Sequence, residues 1–335
     1  MKYRVIGTDP ATRREVSVLS LGAMLMGSRT DEATSFAILD RFVEAGGTFI
    51  DTSGNYAFWV NGTQGGESEE LLGEWRRSRG IGDEIFFATK VGARPLAPSA
   101  GFLDAAGRLV PLEGLSAKVI RESAERSMER LGVSRLDLLY AHIEDPSVPL
   151  EDTVEGFGSL VSDGMVGLLG ASNHWIWRVE RSRALAASAG LAGYEVLQYS
   201  HSYLRRRSDL PSPWSPDGAV GSAGGELTSY LRDADGKLTL VAYSPLLKGA
   251  YVRADRSLGA DFEHAGTAPR LAALRSVAEE TGATTNQVVL AWMLGGNLPV
   301  IPLVGASSVA QLDESLAAVD LELSAEQRAR LDGAH

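Results

Sequence analysis

The sequence predicts an α/β fold, a (β/α)8 or TIM barrel with an N-terminal β-hairpin and extra helices, built as one domain over residues 1–335. Short apolar runs alternate with segments of helical periodicity, which is typical of a parallel sheet. Eight such runs can be counted, as this barrel requires. A doubly wound sheet is the alternative. Its G-x-G-x-x-G signature is missing after the first strand, where the chain reads Leu21-Gly22-Ala23-Met24-Leu25-Met26-Gly27.

The first half of the chain predicts a hairpin followed by four strand–helix alternations. The hairpin pairs Lys2–Val5 with Val16–Leu19, and Val18–Leu21 is the first barrel strand. In the helix at 116–131 the apolar residues share one face and Gly132 ends the helix. The elements after the first strand are helix Asp31–Ala45, strand Thr48–Asp51, helix Ser68–Arg77, strand Ile85–Thr89, helix Ser116–Leu131 and strand Leu136–Tyr140.

The second half continues the same alternation to the eighth strand. Two long loops, at 94–115 and 205–225, contain several Pro and Gly residues and are expected at the barrel mouth, where they would set specificity. The predicted elements are helix Leu150–Asp163, strand Val166–Gly170, helix Trp175–Ala189, strand Glu195–Gln198, a short helix, strand Thr239–Tyr243, helices near Arg270–Thr281 and Asn286–Leu294, strand Val300–Val304 and a helix after Ser308.

Composition excludes several kinds of function. The net charge of −11 argues against nucleic acid or anionic membranes as partners. The chain has no cysteine, so it has no disulfide framework and no thiol chemistry. The start of the chain lacks the apolar core of a signal peptide, and a cytoplasmic location is expected. The uncharged stretch between Glu280 and Asp313 is interrupted by Gly295-Gly296-Asn297 and two prolines, so it predicts a buried helix and strand rather than a membrane span.

Four side chains able to move or hold a proton stand at the ends of successive predicted strands. Asp51 ends one strand, with Tyr56 five residues further on; Lys90 and His142 follow the next two. In a parallel barrel the carboxyl ends of the strands converge on the face that carries the active site. A phenol held near a cation can protonate an alkoxide as it forms, so the set suits reduction of a carbonyl.

Polar and small residues follow the later strands. Ser172-Asn173 and Gln198 could hydrogen-bond a carboxamide such as that of nicotinamide. Ser308 and Gln311 predict a capping box, and a loop of small residues leading to a helix N-terminus is suited to bind phosphate. The other segments at this face are Ser244-Pro245-Leu246-Leu247-Lys248-Gly249 and Gly305-Ala306-Ser307-Ser308.

Together these motifs resemble the aldo-keto reductases over nearly the whole chain. The resemblance implies a (β/α)8 barrel, NADPH or NADH bound across its carboxyl face, direct hydride transfer to an aldehyde or ketone, a small carbonyl or alcohol as substrate, and no metal. The matching stretches are Phe49-Ile50-Asp51-Thr52-Ser53-Gly54-Asn55-Tyr56, Gly66-Glu67-Ser68-Glu69-Glu70-Leu71-Leu72-Gly73, Ala88-Thr89-Lys90, Leu139-Tyr140-Ala141-His142, Gly170-Ala171-Ser172-Asn173, Tyr243-Ser244-Pro245-Leu246 and Gln311-Leu312-Asp313-Glu314.

The resemblance also implies roles. Tyr56 would be the general acid, Lys90 would lower the pKa of Tyr56, Asp51 would keep Lys90 charged, and His142 would orient the carbonyl and share the proton work. Trp59 and Tyr203 are candidate substrate contacts. Residues expected to contact the cofactor are Gly22, Ala23, Met24, Asp51, Ser172, Asn173, Gln198, His201, Ser244, Pro245, Leu246, Lys248, Gly249, Gly305, Ser307, Gln311 and Ser315.

The chain departs from the family pattern at two points. His201 occupies a position where an aromatic ring is expected to stack on nicotinamide, so either His201 stacks or a neighbouring tyrosine does. Residues 307–315 contain no basic side chain for the 2′-phosphate of NADPH, and Ser315 replaces a common Asn. Lys248 or Arg205–Arg207 would have to supply the positive charge for this phosphate instead. NADH is therefore an alternative cofactor.

Three alternative functions stay open from the sequence. They are a cofactor-binding regulatory barrel with slow turnover, an alcohol or polyol dehydrogenase that runs in the oxidative direction, and a lyase with Lys90 as a Schiff base. The lyase is disfavoured because Asp51 would raise the pKa of Lys90, whereas Schiff-base chemistry needs it lowered.

Overall fold

Eight parallel strands close into a barrel, as predicted. The structure is a computed structural model that describes residues 1–210, 218 and 220–335; the predicted loop at 205–225 therefore lies partly outside the described residues. The barrel closes where its eighth strand pairs with both its first and its seventh strand. The barrel strands are β3 Ser20–Gly22, β4 Phe49–Asp51, β5 Phe86–Val91, β6 Leu136–Ala141, β7 Val166–Ser172, β8 Tyr194–Ser200, β9 Thr239–Tyr243 and β10 Val300–Gly305.

The predicted hairpin is also confirmed, and it packs against residues inside the barrel. Strands β1 Tyr3–Ile6 and β2 Arg14–Ser17 pair antiparallel. Ile6 and Val16 are buried in one apolar cluster with Phe49 of β4 and Leu168 of β7. The hairpin therefore extends the interior core of the barrel at the end opposite the strand carboxyl termini.

Helices surround the barrel, and their bounds lie close to those predicted. The exceptions are α2 and α11, which the sequence analysis did not assign. The helices are α1 Glu32–Glu44, α2 Phe58–Asn61, α3 Glu67–Arg79, α4 Ala117–Leu131, α5 Leu150–Ser162, α6 Ile176–Ser188, α7 Gly225–Asp233, α8 Thr267–Thr281, α9 Thr285–Leu294, α10 Val309–Ala317 and α11 Ala325–Gly333. Among these helices, none has the length and apolar character that a membrane crossing requires.

The capping box predicted at the start of α10 is only half formed. The side chain of Ser308 accepts a hydrogen bond from the backbone N–H of Gln311, at 3.3 Å. The side chain of Gln311 reaches one residue further back than predicted and accepts from the N–H of Ser307, at 2.9 Å, and from the Ser307 hydroxyl, at 3.0 Å. The loop before α10 is thus tied to the helix through Ser307. Ser308 itself has an extended backbone, with φ −156° and ψ 159°.

Side chains that point into the barrel occur at every second residue of each strand. Val241 of β9 and Leu138 of β6 belong to the interior cluster, and Tyr140 joins it two residues after Leu138. Gly170 of β7 makes room for Tyr140, because a Cβ there would lie 2.3 Å from Cδ1 of the Tyr140 ring. This alternation decides which side chains reach the carboxyl end of the barrel interior.

Candidate active site

The ammonium group of Lys90 lies at the centre of the predicted site. Its Nζ donates to Oδ1 of Asp51 at 2.5 Å, to the carbonyl of Thr52 at 2.7 Å and to the hydroxyl of Tyr56 at 3.0 Å. An ammonium has three hydrogens, so all three are used. Since the Tyr56 oxygen accepts from Lys90, the hydrogen of Tyr56 is left to donate elsewhere.

The Lys90–Asp51 ion pair is fully buried. Its side chains are 0% and 1% exposed, and the second Asp51 oxygen accepts from Nε2 of Gln198 at 2.7 Å. Burial lowers the pKa of Lys90, but Asp51 and Tyr56 more than offset this, and the net pKa lies above the usual value. Burial raises the pKa of Asp51, against the opposing charge of Lys90. Lys90 is therefore a fixed positive charge.

Tyr56 is a weaker acid than an ordinary tyrosine. Burial raises the pKa of Tyr56 above the usual value, and the nearby charge of Lys90 lowers it by less than burial raises it. Lys90 thus acts on the pKa of Tyr56 in the predicted direction, although burial keeps the net pKa above the usual value. The physical reason is that a buried phenolate loses hydration, and Asp51 also disfavours it. Tyr56 is protonated at neutral pH and is available as an acid.

His142 lies beside Tyr56 and is uncharged. The two rings meet edge to face, with centroids 5.9 Å apart. Burial, and then the charge of Lys90, hold the pKa of His142 well below the usual value. Nδ1 of His142 is 3.1 Å from the hydroxyl of Ser53. A neutral imidazole at this position can donate with one nitrogen and accept with the other.

An aromatic wall stands next to Tyr56. The Trp59 ring lies 6.2 Å from the Tyr56 ring, and the Phe102 ring lies 5.4 Å from Trp59. Phe58 of α2 packs edge to face on both Trp59 and Phe102. Helix α2, missed in the sequence, thus fixes Trp59, and the loop at 94–115 contributes Phe102. The predicted substrate contact Trp59 is therefore at the mouth beside Tyr56.

The polar residues after β7 form a connected turn. Asn173 adopts a left-handed backbone, with φ 57°, and its Nδ2 donates to the carbonyl of His142 at 3.0 Å and to the Ser172 hydroxyl at 2.9 Å. Oδ1 of Asn173 accepts from the hydroxyl of Tyr243 at 2.9 Å. The amide hydrogens of Asn173 are thus committed, whereas Ser172 accepts from Asn173 and keeps its own hydrogen for another acceptor.

His201 and Tyr203, which were predicted to contact the cofactor and the substrate, both pack against Trp292. The His201 ring packs on Trp292 of α9, with centroids 5.9 Å apart, and burial lowers the pKa of His201 to about 4. The Tyr203 hydroxyl donates to the carbonyl of Leu331 at 2.9 Å, and the ring also meets Trp292 edge to face. Both side chains therefore join the packing between β8, α9 and the C-terminal helix.

Tyr243 is a residue of this site that the sequence analysis did not select. It follows the interior residue Val241 by two positions and has the same orientation. Tyr56 is among the groups that raise the pKa of Tyr243, after burial, to about 12. Its hydroxyl is held by Asn173 and by the carbonyl of Gly221. Alternation along β9, counted from the last interior apolar residue, would have identified it.

The loop after β9 has an unusual backbone. Ser244, Leu247 and Lys248 are non-glycine residues with positive φ, at 54°, 48° and 57°. Such conformations cost about 1–3 kcal/mol each and concentrate at functional sites. The carbonyl of Pro245 accepts from Ser202 at 2.5 Å, and Lys248 is exposed. This loop is therefore held in a defined shape beside the mouth.

The remaining predicted cofactor residues lie at the ends of β3 and β10 and on α10. Gly22 pairs with both Asp51 and Gly305, which brings the three strand ends together. The N–H of Ala23 donates to the carbonyl of Asp51 at 2.9 Å. Met24 is 42% exposed, and Ser315 is buried with its hydroxyl bonded to the carbonyl of Gln311. No cluster of metal-binding side chains occurs among the described residues.

A buried carboxylate supports β5 from outside the barrel. Glu69 of α3 accepts from the hydroxyl of Thr89 at 2.5 Å and from Nε of Arg130 at 2.7 Å. Thr89 directly precedes Lys90, so this contact joins α3, α4 and the strand that carries the ammonium group. Glu69 belongs to a motif that the sequence analysis matched, but its contact with Thr89 depends on the fold.

A barrel with a buried Asp–Lys pair, a protonated phenol and a neutral imidazole at its carboxyl end defines a class of oxidoreductases. The sequence model of the Aldo/keto reductase family matches residues 18–335. The chain belongs to the Aldo/keto reductase family and is an NAD(P)H-dependent oxidoreductase.

Characterised and uncharacterised relatives align along most of the chain. Norsolorinic acid reductase stcV of Emericella nidulans is 30% identical, over 97% of this chain and 79% of the relative. An uncharacterised oxidoreductase, YrpG of Bacillus subtilis, is 29% identical over 97% of this chain and 93% of its own. Aryl-alcohol dehydrogenase [NADP(+)] of Phanerodontia chrysosporium is 28% identical over 95% and 82%. The chain is thus similar to a norsolorinic acid reductase, to an oxidoreductase and to an aryl-alcohol dehydrogenase.

Proposed function

We propose that this protein reduces aldehydes and ketones to alcohols, with Tyr56 as the general acid. The observation that carries the proposal is the 3.0 Å contact from Lys90 to the Tyr56 oxygen, which leaves the phenol hydrogen free to donate. Lys90 stabilises the phenolate that remains after the proton has moved to the substrate oxygen. Asp51 keeps Lys90 charged and in position.

The cofactor proposed is NADP(H) or NAD(H), and the donors present suit its carboxamide. The Ser172 hydroxyl accepts from Asn173 and can donate its own hydrogen to the carboxamide. Gln198 holds the neighbouring carboxylate of Asp51. When bound, the nicotinamide supplies the hydride. The ring of Tyr243, at the mouth and close to Tyr56, is a better candidate for stacking than His201, whose ring packs on Trp292.

Dual cofactor use is proposed because positive charge is scarce near α10. Among the described residues, Arg41 forms an ion pair with this helix, and its Nε is paired with Asp313 at 2.7 Å. Lys248 is exposed on the neighbouring loop and has the reach of a long side chain. The helix N-terminus contributes about 0.3–1 kcal/mol toward a phosphate when exposed. These features favour a modest preference for NADPH.

The substrate proposed is an aromatic or bulky apolar carbonyl. The Trp59 ring lies beside Tyr56 and the Phe102 ring lies beside Trp59, and ring pairs contribute about 0.5–1.5 kcal/mol beyond the area that they bury. Norsolorinic acid reductases and an aryl-alcohol dehydrogenase among the relatives agree with this choice. Oxidation of an aryl alcohol is the reverse reaction, and it requires Tyr56 to lose its proton first.

The decisive experiment is Tyr56→Phe with an aromatic aldehyde and NADPH. Removing the acid should lower kcat by about 10²–10⁴-fold, while cofactor affinity measured by fluorescence should stay within about threefold, since the hydroxyl acts on the substrate. Tyr3→Phe, whose hydroxyl bonds Gly46 on the surface, is the matched control. Near-normal turnover in Tyr56→Phe would refute the assignment, and cofactor binding with no turnover in the wild type would favour a regulatory barrel.

A further inference from the structure

A polar cleft lies between α4, the carboxyl end of β5 and the turn that contains Gly54. It encloses about 170 Å³ of empty space, part of which is open to solvent. The turn is held against the segment after β5, because Nδ2 of Asn55 donates to the carbonyl of Ala93 at 3.0 Å. The charged side chains that line the cleft include those of Arg94, Glu113, Arg126 and Arg130.

Two of the three arginines in this cleft are paired with carboxylates. Nη2 of Arg126 donates to Oε2 of Glu113 at 2.9 Å, and Nε of Arg130 donates to Oε2 of Glu69 at 2.7 Å. The other oxygen of Glu113 accepts from the backbone N–H of Gly92 at 2.9 Å. Each carboxylate is thus matched by one guanidinium group, and both oxygens of Glu113 are already in use.

Arg94 is the third arginine, and among the described residues it has no carboxylate partner. Its Nη2 donates to the amide oxygen of Gln64, a neutral group, at 3.1 Å. Burial, and then the charge of Arg126, lower the pKa of Arg94. Glu113 opposes this lowering, and Arg130 adds to it. The cleft therefore has a surplus of one positive charge in a chain whose net charge is −11.

Three donors on residues of this cleft are buried and have no partner in the part of the chain that the structure describes. They are Nε of Arg94, Nε of Arg126 and the hydroxyl of Ser127, a residue that is 0% exposed. A Cβ at Gly54 would lie 3.3 Å from Nη2 of Arg130 and 3.6 Å from Oγ of Ser127, so these two groups face the same space. Buried donors in native proteins are nearly always hydrogen-bonded. An acceptor is therefore expected in the cleft.

We propose that this cleft binds a small monovalent anion of the size of chloride, held by Arg94, Arg126 and Ser127. An anion accepts from all of these donors, whereas a water molecule needs acceptors for its own two hydrogens. One negative charge also balances the surplus charge of the cleft. The small volume favours an inorganic ion over an organic phosphate. Bound there, the anion joins α4 to the end of β5 and stabilises the folded chain.

The position of the anion is tested with bromide, which resembles chloride and scatters X-rays anomalously. Crystals of the full chain in sodium bromide, measured at the bromine absorption edge, should show a peak between the side chains of Arg94, Arg126 and Ser127. Electron density at this place without an anomalous signal would identify a water molecule and overturn the proposal.

Binding in solution is measured from the broadening of the ³⁵Cl NMR signal, with gluconate replacing chloride at constant ionic strength. The Kd for chloride should rise by about tenfold in Ser127→Ala and in Arg94→Gln, because each loses a hydrogen bond to the ion. Gly54→Ala keeps every donor but fills part of the space, and it should also weaken binding. Two control variants should leave the Kd unchanged. They are Ser20→Ala, at another buried serine whose hydroxyl has no partner among the described residues, and Arg41→Gln, which removes the same charge elsewhere.

Thermal unfolding gives a second measurement that does not depend on activity. A ligand that binds only the folded chain stabilises it, so the Tm of the wild type should rise with chloride at constant ionic strength. The rise should be smaller in Ser127→Ala than in Ser20→Ala, and circular dichroism checks that both variants are folded. A bromide peak in the crystal, with no difference between cleft variants and controls in solution, would mean binding at crystal concentration only and would overturn the proposal.

Discussion

Removing Lys90 should destabilise the protein in a way that depends on pH. In Lys90→Met, Asp51 loses its 2.5 Å partner inside the barrel and keeps only the contact with Gln198. Breaking a buried ion pair on one side costs about 3–5 kcal/mol. Solvent does not screen this ion pair, because the two side chains are 0% and 1% exposed.

The pH dependence follows from the carboxylate that is left behind. The pKa of Asp51 is already raised by burial, and loss of Lys90 removes the charge that opposed this rise. The folded variant therefore binds a proton that the unfolded chain releases above about pH 4. Its stability is highest below that pH and falls as pH rises toward the folded pKa, by up to about 1.4 kcal/mol per pH unit.

Urea unfolding of the wild type and Lys90→Met across pH 4 to 8 measures this difference, since effects of the other carboxylates cancel between the two proteins. The difference should grow with pH. The double variant Asp51→Asn/Lys90→Met should be about 2 kcal/mol more stable than the sum of the single changes predicts, because no charge is stranded. Lys118→Met with Glu122→Gln, an exposed pair at 3.8 Å, should be nearly additive. A pH-independent difference and an additive buried cycle would refute the reasoning.

The remaining predictions concern the cofactor, the barrel packing and the acid. Ser307→Arg should raise the ratio of kcat/KM for NADPH to kcat/KM for NADH by about tenfold. A wild type that already discriminates strongly against NADH, and whose discrimination disappears in Lys248→Met, would contradict this prediction. Gly170→Ala should lower stability by about 1–3 kcal/mol because its Cβ would lie 2.3 Å from the Tyr140 ring, whereas Gly225→Ala, with open space around it, should not. Burial raises the pKa of Tyr56 and lowers that of His142. A plot of kcat for reduction against pH should therefore show no inflection between about pH 6 and 9. An inflection near about pH 6.5 would implicate His142 instead.

Much of the site could be predicted because it is built from strand ends. A buried strand has an apolar run, and in a parallel barrel a polar residue at its carboxyl end that keeps the inward alternation faces the mouth. Asp51 and Lys90 were identified in this way, and the structure joins them directly. Tyr243 obeys the same rule, but the sequence motif around it indicates the loop residues that follow it and not the ring that ends the strand.

Other features depend on contacts between residues far apart in the chain. His201 was expected near the cofactor from its spacing after Gln198, but the chain leaves β8 and meets Trp292, 91 residues later. The net acidity of Tyr56 depends on how completely the fold buries it, which charge pairing in the sequence does not reveal. The orientation of Asn55 is likewise set by the carbonyl of Ala93, a partner 38 residues away.

The complete use of the Lys90 hydrogens has a consequence for turnover. If Tyr56 is the general acid, as proposed, it lacks a proton after each reduction, and a new one must arrive before the next cycle. Among the described residues, the Lys90 ammonium donates its three hydrogens to Asp51, Thr52 and Tyr56, so it has none left for a water that could relay a proton from inside the barrel. The proton therefore enters from the mouth, by the route that the alcohol takes out. Resetting of the acid is thereby tied to departure of the product, and a solvent deuterium effect should accompany product release as well as the chemical step.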